Sequence, residues 1–257
     1  MPELVRSETV RGVATVTLDS PHNRNALSSA LIEQLLAALR AAESDAAVRA
    51  VVLSHTGPVF CSGADLKETA AALASGGSTP PAGRLGEVLS AIWNSAKPVV
   101  ARVAGPARAG GLGLVAAADI AICADEATFA FSEVRIGVIP AVISATVLPR
   151  LAPRAAAELY LTGEVFDGAR AAAIGLVSAS VPADELDAAV ARHTDALVRG
   201  APGALAGAKR LLHRGGDIDA DLAALTELSI HHFGSPEGLE GVRAFREKRD
   251  ANWVPRG

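Results

Sequence analysis

Apolar positions along the chain repeat with two different periods. Leu31, Ile32, Leu35, Leu36 and Leu39 recur at three- and four-residue spacing. This predicts a helix over Ser28–Glu43, with Ser28 or Ser29 at its N-cap. Val10–Leu18 alternates and predicts a strand; Val48–Ser54 is a short, wholly apolar strand. Pro98–Val103 reads as a strand entering a Gly/Pro turn, and Gly111–Ala118 as a short buried helix. Asp119–Ala124 and Thr128–Phe131 read as further strands. Strand-strand-helix units therefore recur through the first two-thirds, which points to α/β or α+β without fixing the topology. Arg199–Gly203 is a joint, and beyond it the pattern is helical over Ala204–Arg214, Leu222–Phe233 and Pro236–Lys248. This divides the chain into a core, 1–198, and a helical region, 199–257. A region of that size packs on its own core or on a neighbouring subunit. Ala74–Arg84, rich in Gly, Ser and Pro, is expected to be a loop acting as a lid or pocket wall.

Composition narrows the partners. Half of the 257 residues are hydrophobic, 20% are charged and the net charge is −4. Basic residues are scattered, so nothing favours nucleic acid or an anionic membrane. No apolar run approaches the length of a membrane span, and the first residues lack a signal-peptide pattern; a cytoplasmic protein is expected. Cys61 and Cys123 lack metal-ligand spacing and are expected to be reduced thiols. His231-His232 have no third ligand nearby, so no metal site is expected. His22 and His55 read as loop or surface histidines, and Trp93 and Trp253 as packing or interface residues.

The chemistry concentrates between Val59 and Glu133. Cys61-Ser62-Gly63-Ala64-Asp65 and Ala109-Gly110-Gly111-Leu112-Gly113 are small-residue turns after separate strands. Each can present a bare backbone N–H, and the second opens a helix whose dipole favours negative charge. Two such donors stabilise an enolate or tetrahedral oxyanion; losing one costs roughly 100- to 1,000-fold in rate. Gly111-x-Gly113-x-x-Ala116 also fits a permissive dinucleotide fingerprint, but mid-chain and without the acidic residue after a second strand. Glu133 follows in Phe129-Ala130-Phe131-Ser132-Glu133-Val134. Alone it fits a helix-terminal acid or a partner of Arg135. Beside the two turns it reads as a buried acid suited to proton transfer.

The ordered set of segments resembles the crotonase superfamily, the enoyl-CoA hydratase/isomerase family. It runs from Pro21-His22-Asn23-Arg24-Asn25-Ala26-Leu27 through Phe60–Lys67, Lys97–Ala101, the Gly110-Gly111 turn and Phe129–Gly137. It continues through Leu161-Thr162-Gly163 and Ala173–Val177 to the tail Glu237–Arg249. The resemblance implies a spiral of ββα units and a C-terminal helical region that forms trimers, often paired into hexamers. It implies that Ala64 and Gly110 donate to the thioester oxygen of an acyl-CoA, and that Ala64, Asp65, Leu66 and Lys67 lie along the CoA moiety. Arg24, Lys67 and Lys248, the last from a neighbouring subunit, are candidates for the CoA phosphates. No cofactor is implied, since coenzyme A is part of the substrate.

Two positions depart from the familiar hydratase pattern. Gly113 stands where those enzymes carry a first glutamate, so Glu133 is the single carboxylate. Pro140-Ala141-Val142-Ile143-Ser144 replaces a glycine-containing stretch and is expected to reshape the acyl pocket. A subset resembling the methylglutaconyl-CoA hydratases is similar in both. The resemblance implies hydration of a 2-enoyl-CoA, or the reverse dehydration, on a substrate that includes 3-methylglutaconyl-CoA among the candidates. Ser144 or a backbone carbonyl is the candidate anchor for the water. A 3-enoyl- to 2-enoyl-CoA isomerase and a non-catalytic acyl-CoA-binding protein are the alternatives.

Overall fold

The computed structural model describes residues 2–74, 81–213 and 217–254. At the N-terminus the alternating pattern makes a hairpin, not one strand. β1 (Val5–Val10) and β2 (Val13–Leu18) pair antiparallel, with Val5 opposite Leu18 and Val10 opposite Val13. The expected strand over Val10–Leu18 breaks at Arg11 and Gly12, both at positive φ (49° and 82°). Two left-handed residues make the tight turn whose twist matches a hairpin. Arg-Gly is a poor sequence cue for it, and β1 is exposed after Val5, so no alternation marks it.

From β2 onward the main sheet is parallel. Its order is β1-β2-β3-β4-β6-β9, with β3 (Ala50–His55), β4 (Val99–Val103), β6 (Ile120–Ala124) and β9 (Ala179–Val181). Parallel neighbours require crossovers. α1 (Ser29–Ser44) joins β2 to β3, while α2 (Leu66–Ala74) and α3 (Leu85–Trp93) lie between β3 and β4. Ser28 caps α1, its hydroxyl accepting from the Leu31 N–H. α4 (Gly110–Ala117) precedes β6; α5 (Ala141–Val147), α6 (Pro153–Thr162) and α7 (Gly168–Ala173) precede β9. Val51, Leu53, Val99, Ala101 and Val103 face a core shared with Leu31, Leu35, Leu89 and Leu112. Val52, Val100 and Ile122 face Leu186, Ala189 and Val190 of α8 (Leu186–Arg199). Burial on both faces is why these strands read as unbroken apolar runs.

A small second sheet, β5-β7-β8, consists of β5 (Ala107–Arg108), β7 (Thr128–Ala130) and β8 (Phe166–Asp167). The C-terminal helices are α9 (Pro202–Leu212), α10 (Ile218–Phe233) and α11 (Pro236–Glu247). They fold back on the chain itself. α10 packs on α3 and α5, and Leu222 joins the main core. α11 presses on the turn Ser132–Ile136 so closely that a Cβ on Gly241 would lie 2.1 Å from the Ile136 carbonyl oxygen. From α9, the buried Lys209 ammonium reaches Asp119 Oδ2 at 2.8 Å and donates to the Ile92 carbonyl at 3.0 Å. Within Ala74–Arg84, the expected loop, residues 75–80 lie outside the described residues and Pro81–Arg84 forms a 3-10 turn.

Candidate active site

One backbone network carries all three elements of the site. Leu27 bridges Ala64 in parallel: the Leu27 N–H donates to Gly63 O (2.8 Å) and the Asp65 N–H to Leu27 O (3.5 Å). These bonds flank Ala64 and do not use its N–H. Cys61 then bridges Ala107, with the Phe60 N–H on Pro106 O (3.0 Å) and the Arg108 N–H on Cys61 O (2.9 Å). β5 pairs with β7, Arg108 opposite Ala130, and the Ala109 N–H donates to Ala130 O at 3.2 Å. β7 runs straight into Ser132–Ile136, a 3-10 turn bearing Glu133. Gly110 opens α4, where a first-turn N–H has no intrahelical acceptor. Among the described residues, neither the Ala64 nor the Gly110 N–H is spent on a protein acceptor. The turns touch: a Cβ on Gly110 would lie 3.8 Å from the Gly63 Cα. Ala109, which precedes Gly110, sits at φ 47°, a conformation costly for a residue with a Cβ. Strain of this kind persists where surrounding bonds over-determine the turn.

A cavity of about 50 Å³ opens beside these groups. Ala64, Ala109 and Gly110 form one wall and Glu133 another; Pro140, Val142, Ile143 and Phe233 are among its apolar lining. Glu133 is 8% exposed, and its Oε2 is buried with no hydrogen-bond partner. Burial pushes the carboxyl up from 4.5 to about 7, against a hydrogen bond from its own backbone. Arg135 forms no ion pair with it among the described residues; that local reading does not hold. A carboxyl that titrates near neutrality beside two unspent N–H donors can move a proton at a carbon next to a carbonyl.

The other singled-out residues sit around this centre. Asp65 caps α2, its Oδ1 accepting from the N–H groups of Lys67 (3.0 Å) and Glu68 (3.1 Å). Leu66 packs near Val138, Phe233 and Val242. Arg24, Lys67 and Lys248 are exposed and none lines the cavity. The Arg24 carbonyl accepts from the Ser62 N–H at 3.1 Å, tying its loop to the first turn. At Gly113 a Cβ would stand 2.5 Å from Ile143 Cγ2, so isoleucine fills the space a side chain there would need. Ser144 does not face the cavity. Its hydroxyl donates to Pro140 O at 2.6 Å and meets the Tyr160 hydroxyl at 3.3 Å, so of the two candidate water anchors, Ser144 and a backbone carbonyl, the serine is committed elsewhere.

His55 is a second correction: it is buried at the end of β3, not a surface residue. Its Nε2 accepts from the Ala104 N–H at 3.1 Å, which requires the neutral ring. Burial, chiefly, holds its pKa below the usual imidazole value. It thereby pins the chain leading to the second turn. Both thiols are buried and free, and burial pushes Cys61 up to about 12 and Cys123 to about 11. No metal-ligating cluster of three or more His, Cys, Asp or Glu, and no helix able to cross a membrane, occurs among the described residues. Leu85, Ser229 and Phe233 also line the cavity. They were invisible in the sequence because nothing local distinguishes a pocket wall that arrives from far along the chain.

The sequence matches the model of the enoyl-CoA hydratase/isomerase family over residues 8–256. A crystal structure of an enoyl-CoA hydratase from Mycobacterium avium is similar, with a TM-score of 0.87 and 45% identity over 99% of this chain and 100% of that one. Enoyl-CoA hydratase domain-containing protein 3 of Rattus norvegicus is 32% identical across 98% of this chain and 85% of its own. Human methylglutaconyl-CoA hydratase is 33% identical across 93% of this chain and 73% of its own.

Proposed function

The chain belongs to the enoyl-CoA hydratase/isomerase family of the crotonase superfamily, and from that premise we propose that it adds water across the 2,3 double bond of an enoyl-CoA. The observation that carries the proposal is Glu133, a lone carboxyl with a pKa near 7, sharing a cavity with the unspent N–H groups of Ala64 and Gly110.

In this reading the thioester oxygen sits between the two N–H groups. The Glu133 carboxylate takes a proton from water as the water oxygen bonds to Cβ. The double-bond electrons move onto the thioester oxygen as an enolate, which the N–H pair stabilises. Glu133, now protonated, returns its proton to Cα as the carbonyl re-forms, so the net change is one water added. Apolar surroundings strengthen both interactions. Arg24, Lys67 and, from a neighbouring subunit, Lys248 are proposed to meet the CoA phosphates; their exposure fits a group that stays at the surface. Asp65 and Leu66 would line the path of the CoA moiety. The exposed Leu239 and Phe245 of α11 fit assembly as a homotrimer or a pair of trimers.

One observation favours a second reading. With Ile143 in the space beside Gly113, no second acid or base shares the described lining with Glu133, and the other polar side chain of that lining is the Ser229 hydroxyl. A single base that shuttles a proton between Cα and Cγ needs no second one, which is 3-enoyl- to 2-enoyl-CoA isomerisation. Ultraviolet absorbance of the conjugated thioester separates the two: hydration removes it from a 2-enoyl-CoA, isomerisation creates it from a 3-enoyl-CoA. The described lining holds no cation, which favours a neutral acyl group over one ending in a carboxylate, such as 3-methylglutaconyl.

A further inference from the structure

We propose that Ile143 sets the depth of the acyl site and restricts it to short acyl groups; this rests on reading the cavity as the acyl pocket. Ile143 is 3% exposed and lines the cavity. Its Cγ2 lies 2.5 Å, and its Cβ 3.1 Å, from where a Gly113 side chain would begin. The Leu89 Cδ1 closes the same point at 3.4 Å. The isoleucine therefore fills the ground between the cavity and α4, and the open volume ends at it.

The stop is rigid for three reasons. A β-branched residue in a helix has essentially one χ1 rotamer, so Ile143 on α5 cannot swing aside. The Thr146 hydroxyl, one turn on, lies 3.3 Å from the Gly113 carbonyl and 3.1 Å from that of Ile143, so its one proton is shared between α4 and α5. α10 packs against α5 as well. An acyl chain longer than the cavity would have to displace a close-packed wall. The remaining cavity is small, about 50 Å³.

The experiment measures binding of butyryl-, hexanoyl- and octanoyl-CoA to the full chain by calorimetry, for wild type, Ile143→Val and Ile143→Ala. These saturated esters need no turnover. Wild type is expected to bind butyryl-CoA best. Ile143→Ala opens the wall toward Gly113 and Leu89, and each methylene newly buried is worth about fourfold. The octanoyl-to-butyryl affinity ratio should therefore rise at least tenfold in Ile143→Ala, and by a smaller step in Ile143→Val, whose single lost methylene leaves folding intact. A ratio unmoved in both folded variants, or a wild type that already prefers octanoyl-CoA, overturns the proposal. If wild type binds no CoA ester of any length, the acyl-pocket reading itself has failed and the proposal falls with it. That outcome is distinct from binding with an unmoved length profile.

Discussion

Glu133 is destabilising in the ionised form, and that fixes what its removal should do. Its folded pKa, about 7, lies above the ordinary 4.5 because burial opposes the charge. Between these values the folded protein holds a proton that the unfolded chain has released, so stability falls as pH rises through the window. Below about pH 4.5 the acid costs nothing, and above about 7 the full penalty applies. At about 1.4 kcal/mol per pKa unit the penalty is roughly 3 kcal/mol. Glu133→Gln should therefore melt higher than wild type at pH 8 and no higher at pH 4.5, as thermal unfolding at both pH values will show. The same substitution should lower turnover by roughly 100- to 10,000-fold, the usual worth of a positioned acid–base group. For wild type, kcat/KM should rise about tenfold per pH unit up to about 7 and then level, because the carboxylate is the form that accepts a proton from water. A profile flat from pH 5 to 9 would remove Glu133 as that base.

At the scale of elements, the parts of the site were legible where local chemistry demands particular residues. Gly110 had to be small to open a helix against the first turn, and the strand-turn-acid order around Thr128–Glu133 survived into β7 and its following turn. The helix over Ser28–Glu43 was legible because its apolar stripe and its Ser28 cap agree. What the sequence hid was long-range. The Arg11-Gly12 hairpin lacks standard turn residues, and β1 lacks a buried face. His55 looked like a loop histidine because its acceptor role depends on Ala104, brought to it only by the fold. The reciprocal fit of Gly113 and Ile143 joins α4 to α5, and neither residue alone announces the other. α11 supplies a test at this scale. Gly241→Ala places a methyl 2.1 Å from the Ile136 oxygen and must push α11 off the turn that carries Glu133. Activity should fall tenfold or more, with a lower melting temperature; a variant with wild-type kinetics would uncouple α11 from the site.

Across the whole molecule, the parallel sheet and the small β5-β7-β8 sheet hold the two turns and the acid in register, while α10 adds Ser229 and Phe233 to the cavity wall. The site thus spans the boundary read between 198 and 199, since Glu133 and Ile143 share a lining with Ser229 and Phe233. Lys209 fastens α9 to this body through Asp119, whose Oδ1 has no hydrogen-bond partner of its own. Lys209→Met takes the cation from the partly buried Asp119 carboxylate, which keeps the Val99 N–H on Oδ2 at 2.7 Å, and should cost about 1.5–3 kcal/mol in chemical denaturation. Replacing Asp119 with leucine in the same chain should recover part of the loss. The central claim is that one buried carboxyl and two backbone donors do the chemistry. The most direct measurement follows the ultraviolet absorbance of crotonyl-CoA with wild type and with Glu133→Gln. The account predicts steady loss of absorbance with wild type, a drop in rate of at least 100-fold in the variant, and unchanged binding of butyryl-CoA. Wild-type turnover that survives in Glu133→Gln would contradict it.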